Sequence, residues 1–590
     1  MKNSIRLTMI DFSKPWWVII FKRKALLLSI VLAVLVRDVF WMLEPFLVAQ
    51  LLEWRSWYLF GAACFLWLLF ELDLIVLSIF NPRFQLSVIH SLLYNAHQRL
   101  LLIDPVYHVK RSSGELLAKI ERASRGYEDM LDQITFDFAP LVIGITSMLM
   151  VFAHYSFWLL CIIASCLSLM IGYAYYFARY GAQKIEQQFI VSDDAFKNVA
   201  FENLSQINLI RATFATEYMR DTLTQKIIAN SHTEEVVWRS YSFVSRVLNA
   251  IYIISILLLV AFFMHELNNG TTLAHAIGII LAYITSTRPL VKIINPMRKY
   301  MRGYIAVVDL FHAMQKFGKQ TIPIFGGPSV HITKSPELKL DAQSLIFGYK
   351  DATIFNDHSL HLQVSLNQHN KLYGIIGPSG GGKTTLLSIL GGQLRPLDGQ
   401  VLINDIDIYK VDDAVRRQLI ALQGQIATST KGSIRYNLLF GLPHDHTYDD
   451  VYLWHIIDKI GLKAVLESHK GLDTLLGEGA LNISGGQRQR LNFAGLYLRA
   501  RYYKPVLILI DEPTSSLDEI SERAITSMID ELASFAITLV IAHRLKTLEQ
   551  AQGLIDLSLL DYDKNIQIYT PNELKNRSAY YESMLQGKLT

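Results

Sequence analysis

A chain of 590 residues is too long for one ordinary domain, which sets an expectation of at least two units, each burying its own core. It carries 56 Lys and Arg against 52 Asp and Glu, a net charge of +4, an excess too slight over this length to point to nucleic acid as a partner. The mean hydropathy of +0.26 is unevenly spread: the long apolar stretches stop near residue 300, and the remainder of the chain reads as a soluble domain.

At the N-terminus Lys2, Arg6, Lys14, Lys22, Arg23 and Lys24 precede an apolar run that has no small-residue cleavage pattern, so a retained anchor is expected rather than a signal peptide. About six stretches of span length come next, at 25–51, 57–80, 136–154, 157–178, 243–265 and 272–295. Basic residues flank the ends that should lie inside: Lys22 to Lys24, then Arg83, Arg99, Lys110 and Arg111, then Lys292, Arg298, Lys299 and Arg302. Both termini are therefore expected on the cytoplasmic side. Arg37, Asp38 and Glu44 fall inside the first span, and Glu71 and Asp73 inside the second, where charges must be paired or wet. Arg37, Trp41 and Glu44 share one helix face; an ion pair of Arg37 with Glu71 or Asp73, or a polar contact with a transported molecule, would each account for them. Cys64, Cys161 and Cys166 sit in apolar stretches as small hydrophobes and identify no redox compartment.

The inner connections, about 81–135 and 179–242, are too long for structureless loops and read as helices continuing beyond the membrane. Between Lys184 and Trp238, Phe189, Phe196, Val199, Leu204, Ile207, Ile210 and Phe214 recur near helical spacing with no proline. From Lys316 to Glu337 the chain turns to Gly, Pro, Ser and Lys and reads as a linker. Beyond it, short β-type runs at Leu372 to Ile376 and Val506 to Ile510 alternate with helical patterns, the mark of an α/β domain with a mainly parallel sheet.

Three strings in that domain carry chemistry. Gly377, Pro378, Ser379, Gly380, Gly381, Gly382, Lys383 and Thr384 fit G-x-x-x-x-G-K-[ST], after the strand at 372–376 and before the helical 386–390. A glycine-rich turn would also give such a string, but the strand before and the helix after are the context a phosphate loop requires. There the glycines turn backbone N–H groups inward as an anion nest, Lys383 neutralises terminal phosphates, and Thr384 offers its hydroxyl to Mg²⁺. Thr385 belongs to the same nucleotide-binding run. At 483–490, Ile-Ser-Gly-Gly-Gln-Arg-Gln-Arg starts a helix with glycines and the Ser484 hydroxyl, a second phosphate-binding surface at a positive dipole end. The strand at 506–510 then delivers Asp511 and Glu512 to the carboxyl end of a parallel sheet, where such sheets bind ligands. An N-cap would explain the acids equally well; beside a phosphate loop they favour Asp511 holding Mg²⁺ and Glu512 orienting or deprotonating a water for in-line attack.

The string Ser484, Gly485, Gly486, Gln487 closely resembles the signature motif that sets ABC ATPases apart from other phosphate-loop proteins. The resemblance implies an α-helical membrane domain of about six long transmembrane helices (1–315), a linker (316–338) and an α/β P-loop ABC ATPase domain (339–590). It implies further site residues: Tyr349 stacking on adenine, Gln425 sensing Mg²⁺, Asp518 in the loop that communicates across a dimer, and His543 contacting the γ-phosphate, with Glu512, His543 and Gln425 as the catalytic set. Pro105 to Ile120 and Glu202 to Glu217 resemble the intracellular loops of ABC transporters with the exporter fold, whose long helices end in short coupling helices.

On this resemblance the chain is expected to be a half-transporter that works with a second copy of itself or a related half-transporter, using ATP and Mg²⁺. Its signature motif would face the other subunit's phosphate loop, and it would export or flip a hydrophobic or amphipathic substrate across a bacterial inner membrane. A membrane-anchored mechanoenzyme that carries no substrate is the alternative class; a damaged carboxylate or histidine would favour it, and Glu512 and His543 are both present. Departures from the family pattern, at Ala494-Gly495-Leu496, Glu478-Gly479-Ala480 and Ser429-Thr430, remove no group that touches nucleotide.

Overall fold

The computed structural model describes residues 10–54, 57–101, 113–267, 273–317, 336–349, 352–425, 429–443, 448–477, 483–514, 519–542, 548–560 and 565–586. The chain forms two compact units, one made of Met1–Leu101 and Lys110–Gln320, the other with its main body in Thr321–Thr590.

The first unit is helical. Among the described residues four helices are long and apolar enough to cross a membrane: Trp57–Leu101, Leu116–Ala153, Phe157–Ser205 and Thr216–Leu267, of 45, 38, 49 and 52 residues. A fifth is a bent pair, Ala276–Lys292 and Ile294–Lys316, meeting at 43°. Lys24–Trp54, apolar from 25 to 36, brings the count to about six. Three of these helices are more than twice the length that spans a bilayer, so among the described residues the inner connections are mostly helical extensions. The chain packs Met148, Phe152, Ile163, Met170, Leu248, Leu259 and Tyr283 into a core. It leaves Leu28, Leu32, Leu68, Met150 and Leu257 exposed, an outward apolar surface suited to lipid. Trp57, Tyr58, Phe157 and Trp158 stand exposed at two helix starts, the aromatic placement favoured at a membrane interface.

Three expectations are corrected. The helical run through 184–238 is broken: Gln183–Ser205 ends at Gln206, a short helix Ile207–Ala212 follows, and Phe214 turns the chain at φ 58° before Thr216–Leu267 begins. The sixth span is likewise interrupted, Pro289 lying one turn ahead of the break at Ile293. Arg37 pairs with neither Glu71 nor Asp73. Its Nε donates to Asp38 Oδ1 at 2.8 Å, and Nη2 donates to the carbonyl of Thr135 at 3.2 Å.

Where the helices extend, ion pairs replace apolar contacts. Glu186, fully buried, accepts from Arg302 Nε at 2.6 Å and lies 3.6 Å from Arg298 Nε, tying Gln183–Ser205 to Ile294–Phe317. The two guanidiniums also lie over Phe189 and Trp238, at 4.3 and 4.1 Å from the ring centroids. The N-terminal segment is clamped to the same region. Phe12, 1% exposed, packs edge-on against Phe311, and Tyr127 donates to the carbonyl of Trp16 at 3.0 Å.

Two glycines face each other at a close helix approach. A Cβ on Gly303 would stand 2.2 Å from the carbonyl oxygen of Gly126, and one on Gly126 would stand 2.7 Å from the Gly303 Cα. Backbone on both sides cannot yield, so Gly303→Val should lower the stability of the helical unit by about 3 kcal/mol or more, read as a drop in thermal midpoint in detergent. Gly172→Val, which meets nothing within 4 Å, serves as the neutral control.

The second unit is α/β. A five-stranded parallel sheet has the order β11 (Gly553–Asp556), β3 (Leu372–Ile376), β10 (Ile537–Ile541), β9 (Leu507–Asp511) and β6 (Ile420–Gln423). Beside it stands a four-stranded antiparallel sheet, β2 (Ala352–Ser365), β1 (Glu337–Tyr349), β4 (Asp398–Ile403) and β5 (Ile406–Asp407). A short ribbon pairs β7 (Gly432–Ser433) with β8 (Leu475–Leu476). In β1 Leu338, Leu340 and Ala342 alternate inward, and a bulge with Ser344 at φ 47° brings Leu345 and Phe347 back to the buried face. The central strands β3, β9 and β10 are buried throughout, as strands covered on both faces must be. The linker stretch 318–335 lies outside the described residues.

Candidate functional site

The phosphate loop leaves β3 at Gly377 and enters the helix Lys383–Leu390, which starts three residues earlier than its apolar pattern suggested. Gly380 and Gly382 have φ of 79° and 88°, the left-handed backbone that aims successive N–H groups to one side. At Gly382 a side chain is excluded twice, because a Cβ would also lie 2.6 Å from Ile354 Cγ2 on β2. Lys383 is folded back within its own loop: Nζ donates to the carbonyls of Gly377 and Pro378 at 2.8 and 2.9 Å. Burial pushes this ammonium below its ordinary pKa, while the carboxylates of Glu512, Asp511 and Asp556 pull it back up. Pro378, Ser379, Gly380 and Thr384 are exposed, Gly381 and Thr385 half-buried, so the loop presents a backbone cradle and one hydroxyl to solvent. Lys383→Ala should weaken ATP binding by at least about tenfold, because a buried phosphate charge loses its partner. Equilibrium titration checks it, and unchanged affinity would remove Lys383 from the role.

At the end of β9 stand Asp511, 1% exposed, and Glu512. Glu512 adopts φ 46°, a conformation costing a non-glycine residue about 1–3 kcal/mol and found where the surroundings over-determine it. Three contacts hold it. Its N–H donates to the carbonyl of Ile541 at 3.0 Å, its carbonyl accepts from Gln489 Nε2 at 2.6 Å, and its Oε1 accepts from Gln425 Nε2 at 3.2 Å. Gln425 follows β6, the neighbour of β9, so the sheet order brings together two residues that are 87 positions apart. Its own loop is fastened by Asn437, whose amide donates to the carbonyls of Thr430 and Ser433 at 3.1 and 3.0 Å.

Ser484 caps the helix Gly485–Tyr503. Its hydroxyl accepts from the Gln487 N–H at 3.2 Å, and its own N–H donates to Gln487 Oε1 at 2.8 Å, a reciprocal capping box. Ser484 and Gly485 are exposed and Gly486 half-buried, so this helix start is open to solvent. Among the described residues no hydrogen bond or ion pair joins 483–487 to 377–385. Within one chain the structure therefore brings Gln425, Glu512, Asp511 and the phosphate loop together and leaves the signature string facing outward.

Asp518 and His543 lie outside the described residues, as does the Tyr349 side chain; the Tyr349 backbone ends β1 opposite Ala352. Gln489 was missed as a positioning residue, although it stands inside the signature string, because nothing in its spacing shows that its amide reaches the backbone of Glu512. The departure at Gly495 is filled from one turn onward. Arg499 Nη1 would lie 3.3 Å from a Cβ there and donates to the carbonyl of Phe440 at 3.1 Å.

Residues 360–515 match the family model described as ABC transporter. The fold matches that of a bacterial Atm1-family ABC exporter with ATP bound, at a TM-score of 0.80 and 20% identity, over 96% of this chain and 99% of that one. The chain carries an ABC transporter ATPase domain and has the exporter fold. Among curated relatives, the chain is 24% identical to the ATP-dependent lipid A-core flippase of Chromohalobacter salexigens over 85% of this chain and 83% of the flippase. It is 36% identical to a multidrug resistance ABC transporter ATP-binding and permease protein of Lactococcus lactis, over 36% of this chain; that match spans 35% of the Lactococcus protein.

Proposed function

We propose that this chain is a half-transporter that pairs with a second copy of itself and uses ATP binding and hydrolysis to move a hydrophobic or amphipathic molecule outward across, or between the leaflets of, a bacterial inner membrane, with both termini cytoplasmic. The domain boundaries that serve this reading are 1–315 for the membrane part, 316–338 for the linker and 339–590 for the ATPase. The observation that carries it is the Glu512 carboxylate, held by Gln425 at 3.2 Å beside the Lys383 loop, in a chain that also supplies about six membrane helices.

ATP phosphates would lie along the backbone N–H groups of 377–385 with Lys383 at the terminal charge, and adenine against Tyr349. The donor set fits a magnesium ion: the exposed Thr384 hydroxyl, the buried Asp511 carboxylate and the Gln425 amide carbonyl are hard oxygen ligands that leave room for phosphate oxygens and water. When bound, the ion would neutralise charge developing on the transferred phosphoryl group. Glu512, fixed through its backbone by Ile541 and Gln489, accepts the proton of the attacking water, and its link to Gln425 ties that event to the loop fastened by Asn437. Ser484, Gly485, Gly486 and Gln487 close on the γ-phosphate held by the other subunit, with Asp518 and His543 completing the site.

Relatives named as a lipid A-core flippase and a multidrug resistance transporter support an amphipathic or hydrophobic cargo. ATPase activity of the purified protein in proteoliposomes, measured against lipids, peptides and hydrophobic drugs together with their accumulation, tests this reading. Stimulated turnover with ATP-dependent movement of one class is expected. Turnover without movement of any of them would favour a mechanoenzyme.

A further inference from the structure

The helical unit has a half-open cavity of about 720 Å³ that the nucleotide chemistry leaves unused. Backbone irregularities shape it. On one side the helix leading out of 113–133 widens into a π-turn, Ile134–Phe138, followed at once by Pro140. Across from it Pro289 removes a helix donor one turn before the chain bends by 43° at Ile293. Between them Gly144 lets the helices close, since a Cβ there would stand 3.1 Å from the carbonyl oxygen of Ser286.

The charges in this wall do not balance. Arg37 is neutralised by Asp38 at 2.8 Å and further held by the carbonyl of Thr135, with Phe136 5.6 Å from its guanidinium carbon. That leaves Arg288 and Lys292, one turn apart on the bent helix, both exposed and in no ion pair among the described residues, against the single carboxylate of Asp137. Lys292 in the last helical turn is accounted for by the negative end of the helix dipole; Arg288, a full turn earlier in an apolar helix, is not. An ionisable group at membrane depth persists where it is paired or wet, and here the missing partner is an anion. Phe70, Leu74 and Phe136 line the same cavity and offer apolar surface.

We propose that this cavity binds an amphipathic anion, its acidic head at Arg288 and Lys292 and its apolar tail along Phe70, Leu74 and Phe136. The inference rests on the transporter reading and narrows its cargo to molecules with a phosphate or carboxylate head and a hydrophobic body.

The test measures binding to the full-length protein in zwitterionic-lipid nanodiscs by calorimetry, with dodecyl phosphate, dodecyltrimethylammonium and methyl phosphate as probes. The wild type should bind dodecyl phosphate at least about tenfold more tightly than the cation or the tail-less phosphate. Arg288→Gln with Lys292→Gln should abolish that preference, and Arg288→Lys with Lys292→Arg should restore it, which separates loss of charge from misfolding. Equal affinity for anion and cation, or an unchanged preference in the neutralised pair, overturns the proposal. Methyl phosphate binding as tightly as dodecyl phosphate overturns it too, because the site would then take a free anion. Wild-type ATPase activity in the same nanodiscs keeps the two claims apart: activity without anion preference sinks this inference alone, and absence of activity sinks the transporter reading.

Discussion

Glu512→Gln should abolish steady-state ATP turnover, by a factor of about 10² to 10⁴, while ATP still binds. The exchange keeps the side-chain volume and leaves the backbone contacts to Ile541 and Gln489 in place, so the strained turn at φ 46° is preserved and only the capacity to take a proton is lost. The amide can still meet Gln425, now as a neutral pair. Single-turnover and steady-state assays with nucleotide-binding titration separate the two effects. Hydrolysis near the wild-type rate would remove Glu512 from the mechanism, and loss of ATP affinity would show that the side chain shapes the loop instead.

Ser484→Asp should silence turnover by at least about a hundredfold without loosening the fold. Aspartate is as good a cap as serine and suits the positive end of the helix Gly485–Tyr503, so the Gln487 N–H keeps its acceptor and the helix keeps its start. The same carboxylate faces a γ-phosphate if the exposed string closes on another subunit's nucleotide, and two anions there repel. A stability change with normal turnover would mean that Ser484 is a cap and nothing more.

Much of this site was legible because its parts are local. A glycine loop between a strand and a helix and an acidic pair at a strand end are each written within ten residues, and each is where its pattern placed it. What joins them was not legible. The bond from Gln425 to Glu512 exists because β6 lies beside β9 in the sheet, an order that no spacing along the chain reveals.

Helical spacing alone did not show the break after Gln183–Ser205, which turns on Phe214 in a left-handed conformation with no glycine or proline to mark it; only the resemblance of Glu202 to Glu217 to an intracellular loop pointed there. The clamp of Phe12 on Phe311 and the pairing of Arg37 with its immediate neighbour Asp38 depend on tertiary placement in the same way. The antiparallel sheet was not read from the sequence, although Leu338, Leu340 and Ala342 and Leu360, Leu362 and Val364 alternate as half-buried strands do. That period of two marks strands, while their pairing with one another and with β4 is set by the fold.

The central claim, that each site draws its groups from two chains, is tested most directly by ATP turnover in two tandem-linked dimers. One joins a Glu512→Gln subunit to a Ser484→Asp subunit; the other joins a wild-type subunit to one carrying both substitutions. If sites are composite, the first dimer concentrates both defects in one site and keeps the other whole, while the second spoils both. Turnover in the first and its near absence in the second is the predicted result. Turnover in the second with none in the first would show that each chain hydrolyses ATP with its own signature string, and would contradict the composite site.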